Sequence, residues 1–161
     1  MNGAESLLRT LVDSGVDTCF ANPGTSEMHF VAALDRVPGM RAVLGLFEGV
    51  VTGMADGYAR VSGRHGVCIG QNGPGVTNFV TGLAAAYWAH SPVVMITPET
   101  GSMTMGLGGF QETEQLPIFS KITKYQAHVM NPRRMAELTA RAFDRALLEM
   151  GPTQVNIPRD F

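Results

Sequence analysis

The sequence predicts an α/β fold, a three-layer α/β/α open sheet of about six parallel strands. Short apolar segments alternate along the whole chain with segments of helical period. Strands joined through helices are parallel and take right-handed crossovers. The segment 92–97 is almost continuously apolar, as expected for a strand that helices cover on both faces.

Five segments have helical patterns and start or stop signals of their own. They cover residues 4–14, 26–36, 48–61, 76–89 and 132–149. The first carries an apolar face that includes Leu7 and Leu11, and it stops before Gly15, a typical C′ glycine. The last begins at Pro132, because proline suits the first turn of a helix. In the second helix we expect the inward-facing side chains to be Met28, Val31, Ala32 and Leu34.

Six short apolar segments bounded by turn residues are predicted strands. They cover residues 17–21, 40–46, 66–70, 92–97, 123–129 and 153–157. The segment 98–116, rich in glycine and methionine, predicts a long loop, and a loop of that length in a compact domain is usually functional. Ligands of open parallel sheets bind at the carboxyl ends of the strands, so candidate functional residues should lie in the loops that follow them.

Length and composition limit the class of protein. A chain of 161 residues suits a single domain, and we expect 1–161 to be one. A net charge of −2 offers no basic field for nucleic acid, and no apolar run reaches the length of a membrane span. Cys19 and Cys68 lie in apolar segments without a metal-ligand pattern. We therefore expect a cytoplasmic protein with buried thiols that binds neither nucleic acid nor membrane.

Glu48 is the first candidate functional residue. It lies within LFEG, between a predicted buried strand and a predicted helix. One interpretation is a first-turn glutamate that the helix dipole stabilises by about 0.3–1 kcal/mol. The other is a carboxyl group in an apolar pocket, where desolvation lets it share or deliver a proton. The position of Glu48 in the sequence leaves both interpretations open.

The stretch QNGPGVTN is the second candidate site. Gly73 and Gly75 allow close approach of a ligand to the backbone, and the helix that follows presents free N–H groups. A dinucleotide fingerprint would need glycine where Asn78 stands and should follow the first strand, which disfavours a nicotinamide site. A plain tight turn remains open. In the 98–116 loop, Gln111 beside Phe110 is placed to reach into a site on which the loop closes, although the loop could also be an ordinary surface excursion.

Several stretches in combination resemble one family. They are NPGTSEMHF, LFEGVVTGMADGYAR, QNGPGVTNFVTGLAAAYW, SPVVMIT, GGFQETEQLPIF and GPTQVNIPRDF. They are similar to the N-terminal, pyrimidine-binding domain of thiamine-diphosphate-dependent enzymes of the acetolactate synthase group, and the resemblance covers essentially the whole chain. From Gln71 onward the chain is most similar to the sulfoacetaldehyde acetyltransferases of that group.

The resemblance implies the thiamine-diphosphate-binding fold, thiamine diphosphate as cofactor and specific site residues. Glu48 would bind N1′ of the cofactor's aminopyrimidine and so activate the cofactor. Gln111 would point toward the reacting carbons, and His29 lies where some relatives carry an active-site histidine. Further cofactor contacts would come from Pro23, Gly24, Gln71 and Asn78.

The same resemblance implies a lyase or transferase that acts next to the carbonyl of a small 2-oxo acid or aldehyde. The family binds the diphosphate and Mg²⁺ through a second domain, whose motif this sequence lacks. We therefore expect the middle and diphosphate-binding domains to be absent, and Mg²⁺ to bind only together with the latter. Expected partners are a second copy or a diphosphate-binding domain, packed against the segments 48–60 and 81–86. Acetolactate synthase, 2-oxo-acid decarboxylase and a non-catalytic self-associating domain remain alternatives.

Overall fold

A computed structural model describes all residues, 1–161, and contains one six-stranded sheet. The strand order is β2-β1-β3-β4-β6-β5, and every neighbouring pair is parallel. The strands are β1 (Thr18–Asn22), β2 (Arg41–Leu44), β3 (Gly66–Gly70), β4 (Val93–Glu99), β5 (Tyr125–His128) and β6 (Thr153–Pro158). The predicted fold class is confirmed.

Seven α-helices and two 3₁₀ turns connect the strands. The helices are α1 (Gly3–Asp13), α2 (Met28–Leu34), α3 (Glu48–Ser62), α4 (Pro74–Thr77), α5 (Phe79–Trp88), α6 (Gln115–Phe119) and α7 (Met135–Leu148). The 3₁₀ turns, Thr25–Glu27 and Pro132–Arg134, lead into α2 and α7. None of the helices combines the length and the hydropathy needed to cross a membrane.

The helices cover both faces of the sheet and divide the core in two. The larger cluster has 21 buried residues and lies among α1, α2, α7 and one sheet face. The smaller has 11 and lies under α3 and α5 on the other face. In β4, Val94 and Ile96 point to the first cluster, whereas Val93 and Met95 point to the second. This two-sided burial explains why β4 lacks polar alternation.

Two segments differ from the sequence prediction in their helices. The predicted helix 76–89 is two helices, α4 and α5, which meet at Asn78. The predicted loop 98–116 ends in the short helix α6. The next strand starts at Tyr125 rather than at Thr123, because the Thr123 hydroxyl donates to the carbonyl of Phe119 and stays with the end of α6.

The predicted inward face of α2 is only partly correct, since Leu34 packs against the larger core cluster but Met28 and Ala32 face solvent. Phe30 and Ala33 are buried there, whereas Met28 is 54% exposed and Ala32 is exposed as well. Val31 and Leu34 are half-buried. The reason lies in the preceding 3₁₀ turn, where Glu27 is buried and anchored to main-chain amides. Phe30, three residues after Glu27, lies on the same side as Glu27, and Ala33, three residues after Phe30, continues that buried face.

Candidate functional site

The loops after β1, β2 and β3 meet at the carboxyl edge of the sheet. β1 lies between β2 and β3, so the chain leaves β1 toward one side of the sheet and later returns to the other side. Such a change of direction opens a crevice at the carboxyl ends of the strands, where ligands of open α/β sheets bind. Gly24 and Gln71 lie in the loops after β1 and β3, and Glu48 begins α3 directly after the loop that follows β2.

Glu48 is the first residue of α3, and its side chain is 8% exposed. Its Oε2 accepts a hydrogen bond from Nδ2 of Asn78 at 3.0 Å. Its Oε1 accepts no hydrogen bond within the chain, and neither oxygen binds an N–H group of α3. The carboxyl group is therefore buried and oriented, with one oxygen left for a ligand.

The QNGPG turn packs directly against Glu48 because its glycines lack side chains. A Cβ atom on Gly75 would lie 2.8 Å from Oε1 of Glu48 and 2.8 Å from Cβ of Gln71. Gly73 has φ +70°, and a Cβ atom there would lie 2.5 Å from the carbonyl oxygen of Gln111. A side chain at Gly75 would therefore displace both candidate residues.

Gln71 joins the remaining predicted residues to this cluster. Its Nε2 donates to Oε1 of Gln111 at 3.0 Å, and Gln111 itself has φ +62°. A Cβ atom on Gly24 would lie 2.7 Å from Cγ of Gln71, so the loop that contains Pro23 touches this side chain. Gly24, Glu48, Gln71, Asn78 and Gln111 thus form one continuous group, and Pro23 adjoins it as the chain neighbour of Gly24. His29 does not belong to it, since it is exposed and lines a cavity on the other side of the sheet, beside Phe161.

Sequence reasoning missed a buried hydrogen-bonded chain beside this group, which we call the Glu27 bridge (Glu27, Asn72 and Gln115). Oε2 of Glu27 accepts from the Gly24 N–H at 2.7 Å, and Oε1 accepts from the Asn72 N–H at 3.1 Å. Oδ1 of Asn72 accepts from Nε2 of Gln115 at 2.9 Å. Burial raises the pKa of Glu27, and the two amide donors oppose this shift. The three-residue spacing of Gly24 and Glu27 is half of a capping box and was readable in the sequence, whereas the contacts of Asn72 were not.

Comparison with known proteins assigns this fold and crevice to a family. Residues 1–118 match the family described as "Thiamine pyrophosphate enzyme, N-terminal TPP binding domain". The chain belongs to this family. Thiamine diphosphate is therefore the cofactor that the domain implies, and the predicted family is confirmed.

Relatives of this TPP-binding domain carry two kinds of name. The chain is 60% identical over 163 residues to a sulfoacetaldehyde acetyltransferase of Alcaligenes xylosoxydans xylosoxydans, with 100% of the chain and 26% of the relative covered. It is 60% identical over 96 residues to a putative acetolactate synthase large subunit of Mycobacterium tuberculosis, with 60% of the chain and 19% of the relative covered. A probable acetolactate synthase large subunit of Methanocaldococcus jannaschii is 37% identical over 164 residues, with 99% of the chain and 27% of the relative covered. The chain thus spans about a quarter of the length of the curated relatives that it matches over its whole length.

The long loop of the TPP-binding domain has anchors of its own. Glu112 accepts hydrogen bonds from the N–H groups of Gly106 and of Gly109, the latter at 2.9 Å, and these bonds lower its pKa. Asp160 accepts from the N–H of Ser102 at 2.8 Å and from its hydroxyl at 2.7 Å. The anchored loop exposes three large apolar side chains beside the site, Met103, Leu107 and Phe110.

An open groove runs between α3 and α5 next to Asn78. Phe47 and Val50 form one wall, each 51% exposed, and Thr81 and Ala85 line the other. The groove has a volume of about 400 Å³. Its apolar wall begins one residue before Glu48, so anything that fills the groove would also border the candidate site.

Proposed function

We propose that the chain is the pyrimidine-binding half of a thiamine-diphosphate-dependent lyase or transferase that acts next to a carbonyl, of the sulfoacetaldehyde acetyltransferase type. The observation that carries this proposal is the buried Glu48 carboxyl group, with one free oxygen facing a turn that has no side chain at Gly75. The 60% identity over the whole chain to a protein named sulfoacetaldehyde acetyltransferase supports the choice of reaction type.

The residues present fit the pyrimidine end of the cofactor. Oε1 of Glu48 accepts no hydrogen bond within the chain and is available to a ring nitrogen, and glycine at position 75 keeps a side chain from pushing against that oxygen. Asn78 binds the other oxygen and so fixes the orientation of the carboxyl group. The cofactor, when bound, supplies a carbon nucleophile that attacks the substrate carbonyl.

In this proposal each residue of the group has one task. Glu48 shares a proton with the pyrimidine ring, and its low exposure keeps water from competing for that proton. Gln71 and Asn78 line the pyrimidine pocket, and Pro23 and Gly24 close it from the loop after β1. Gln111, bonded to Gln71, faces the reacting carbons.

A partner completes the site in this proposal. Gly53 and Gly57 lie exposed inside α3, and a Cβ atom at either position would meet nothing within 4 Å. Glycine inside an exposed helix costs about 1 kcal/mol relative to alanine, so both positions suit close approach by another backbone. Together with the exposed Phe47 and Val50, they make α3 the docking face. Its occupant would be a second copy or the diphosphate-binding domain that brings Mg²⁺.

Replacing Glu48 by Gln tests the proposal. In the chain assembled with its diphosphate-binding part, Glu48→Gln should lower the rate by about 10²–10⁴-fold, the usual contribution of a general acid–base group. The unfolding free energy should change by about 1 kcal/mol or less, because the amide oxygen can still accept from Asn78. Glu99→Gln is the matched control, since Glu99 is 6% exposed and is the last residue of β4, at the same edge of the sheet, but lies outside the group. Near-normal turnover of Glu48→Gln would refute the proposed role.

Acetolactate synthesis is the second candidate reaction. The 60% identity over 96 residues to a putative acetolactate synthase large subunit favours it. An activity panel of sulfoacetaldehyde with phosphate, pyruvate and aromatic 2-oxo acids distinguishes the reactions. Sulfite and acetyl phosphate would support the first, and acetolactate the second. An assembly that neither binds the cofactor nor turns over any of these substrates would favour the remaining alternative, a self-associating domain without chemistry.

A further inference from the structure

The Glu27 bridge connects the loops that carry the candidate cofactor residues. Glu27 is 3% exposed, and Asn72 and Gln115 are each 1% exposed. Burying a carboxyl group is unfavourable unless hydrogen bonds compensate it, and both oxygens of Glu27 accept from main-chain amides. One amide belongs to Gly24, in the loop after β1, and the other to Asn72, in the turn after β3.

Capping of the following helix does not account for both contacts. The bond to the Gly24 N–H is local, spanning three residues, and is sufficient to cap the 3₁₀ turn. The bond to Asn72 spans 45 residues and contributes nothing to that turn. Asn72 then accepts from Gln115, whose Nε2 also donates to the carbonyl of Pro98 at 2.6 Å. The bridge therefore ties the ends of β1, β3 and β4 to one another.

We propose that Glu27 is a positioning residue that sets the spacing between the loop after β1 and the turn after β3, and thereby the placement of Gly24 and Gln71 relative to Glu48. This inference rests on the proposed function. Glu27 does not touch the cofactor; it acts through the two amides that it binds.

The loops that the bridge connects are in close contact with the side chains of the candidate site. The backbone of Gly24 lies against Gln71, and the backbone of Gly75 lies against both Gln71 and Glu48. A shift of either loop therefore passes directly to the side chains of the candidate site. A misplacement of about 1 Å in such a site can cost about 100-fold in rate.

Glu27→Gln removes one acceptor and keeps the shape of the side chain. The amide group of glutamine has one acceptor oxygen, so its NH₂ must face the N–H of Gly24 or of Asn72. In the chain assembled with its diphosphate-binding part, we expect the apparent Kd for thiamine diphosphate to rise about 10–100-fold, the range found at metal sites when a residue that orients the binding groups is replaced. At saturating cofactor, kcat should fall much less than in Glu48→Gln. In the wild-type chain alone, hydrogen exchange should show the Gly24 and Asn72 amides protected, and Glu27→Gln should lower this protection at least tenfold.

Glu99→Gln is again the matched control, because Oε2 of Glu99 accepts from the Asn156 side chain and Oε1 from the Thr100 N–H, away from both loops. It should leave the cofactor Kd and the two amides unchanged. If Glu27→Gln does not fold, Glu27→Asp replaces it; its shorter carboxylate keeps the charge, and the cofactor Kd should again rise. Wild-type Kd in a folded Glu27 variant, or an equal rise in Glu99→Gln, would overturn the inference. Failure of the wild-type assembly to bind thiamine diphosphate would instead overturn the proposed function.

Discussion

The contact between α3 and α5 permits a quantitative test with alanine substitutions. A Cβ atom on Gly82 would lie 2.0 Å from Oγ1 and 2.7 Å from Cβ of Thr52, whereas ordinary van der Waals contact starts at 3.4 Å. Rotation of the Thr52 hydroxyl would leave the clash with its Cβ atom. That hydroxyl also donates to the Gly49 carbonyl at 3.1 Å. The two helices must therefore move apart to accommodate Gly82→Ala.

Overpacking of this kind costs about 1–3 kcal/mol, and the higher helix propensity of alanine offsets about 1 kcal/mol. The short distance between the added Cβ atom and Cβ of Thr52 favours the upper part of the overpacking range. We therefore expect Gly82→Ala to lower the unfolding free energy by about 1–2 kcal/mol. Gly53→Ala is the control, because a Cβ atom there meets nothing within 4 Å. It should raise the unfolding free energy by about 0.5–1 kcal/mol.

Urea unfolding of the chain, followed by circular dichroism, measures both changes. The midpoints of the two variants should lie on opposite sides of the wild-type midpoint, with similar m-values. In thermal unfolding a difference of about 2 kcal/mol corresponds to about 4–8 °C in Tm for a chain of this size. A Gly82→Ala variant as stable as wild type would refute the close helix contact, and a destabilised Gly53→Ala variant would refute the open space beside α3.

Two further predictions concern titratable groups. Burial raises the pKa of Cys19 to about 12 and also raises that of Cys68, so neither thiol should react with a thiol reagent at about pH 8 until urea unfolds the chain. Fast labelling of the folded chain would contradict this. Burial lowers the pKa of His65 below its usual 6.5, although its ring nitrogen lies 2.9 Å from the Phe143 carbonyl oxygen. As the pH falls, the unfolded chain therefore binds a proton at His65 before the folded chain does, and the unfolding free energy decreases as the pH drops through about 6.5. Urea midpoints measured from about pH 7.5 to 5 should show this decrease, and it should be smaller in His65→Gln. An unchanged slope would exclude His65 as its source.

Local signals in the sequence were sufficient to predict most elements. The apolar segments at β3 and β4 coincide with strands because burial on both faces demands continuous hydrophobicity. Glu48 was recognisable because a carboxylate between a buried strand and a helix is unusual, and the structure buries it. The break at Asn78 was not recognisable, since this residue has helical backbone angles and its side chain binds Glu48, a partner 30 residues away.

The sequence prediction failed where a contact between residues far apart in the chain determines the local structure. The periodicity of α2 allowed more than one inward face, and the anchoring of Glu27 to the Asn72 amide selects the face that contains Phe30. The segment 98–116 was predicted to be a loop without regular structure because its order comes from carboxylates that accept hydrogen bonds from main-chain amides, as Glu112 does. Such hydrogen bonds produce no hydrophobic periodicity in the sequence.

The sequence by itself determined the parallel α/β fold, its membership of the TPP-binding family and the identity of the candidate site residues. Hydrophobic periodicity and turn-forming residues act over a few neighbouring positions, and family motifs are short stretches of sequence. Both can therefore be recognised without the tertiary structure. The tertiary structure alone decided that Glu48 keeps one oxygen free, that Gln71 joins Gly24 to Gln111, and that a buried Glu27 holds the loops together. Each of these depends on atoms far apart in the chain, which packing of the whole sheet brings within hydrogen-bonding distance.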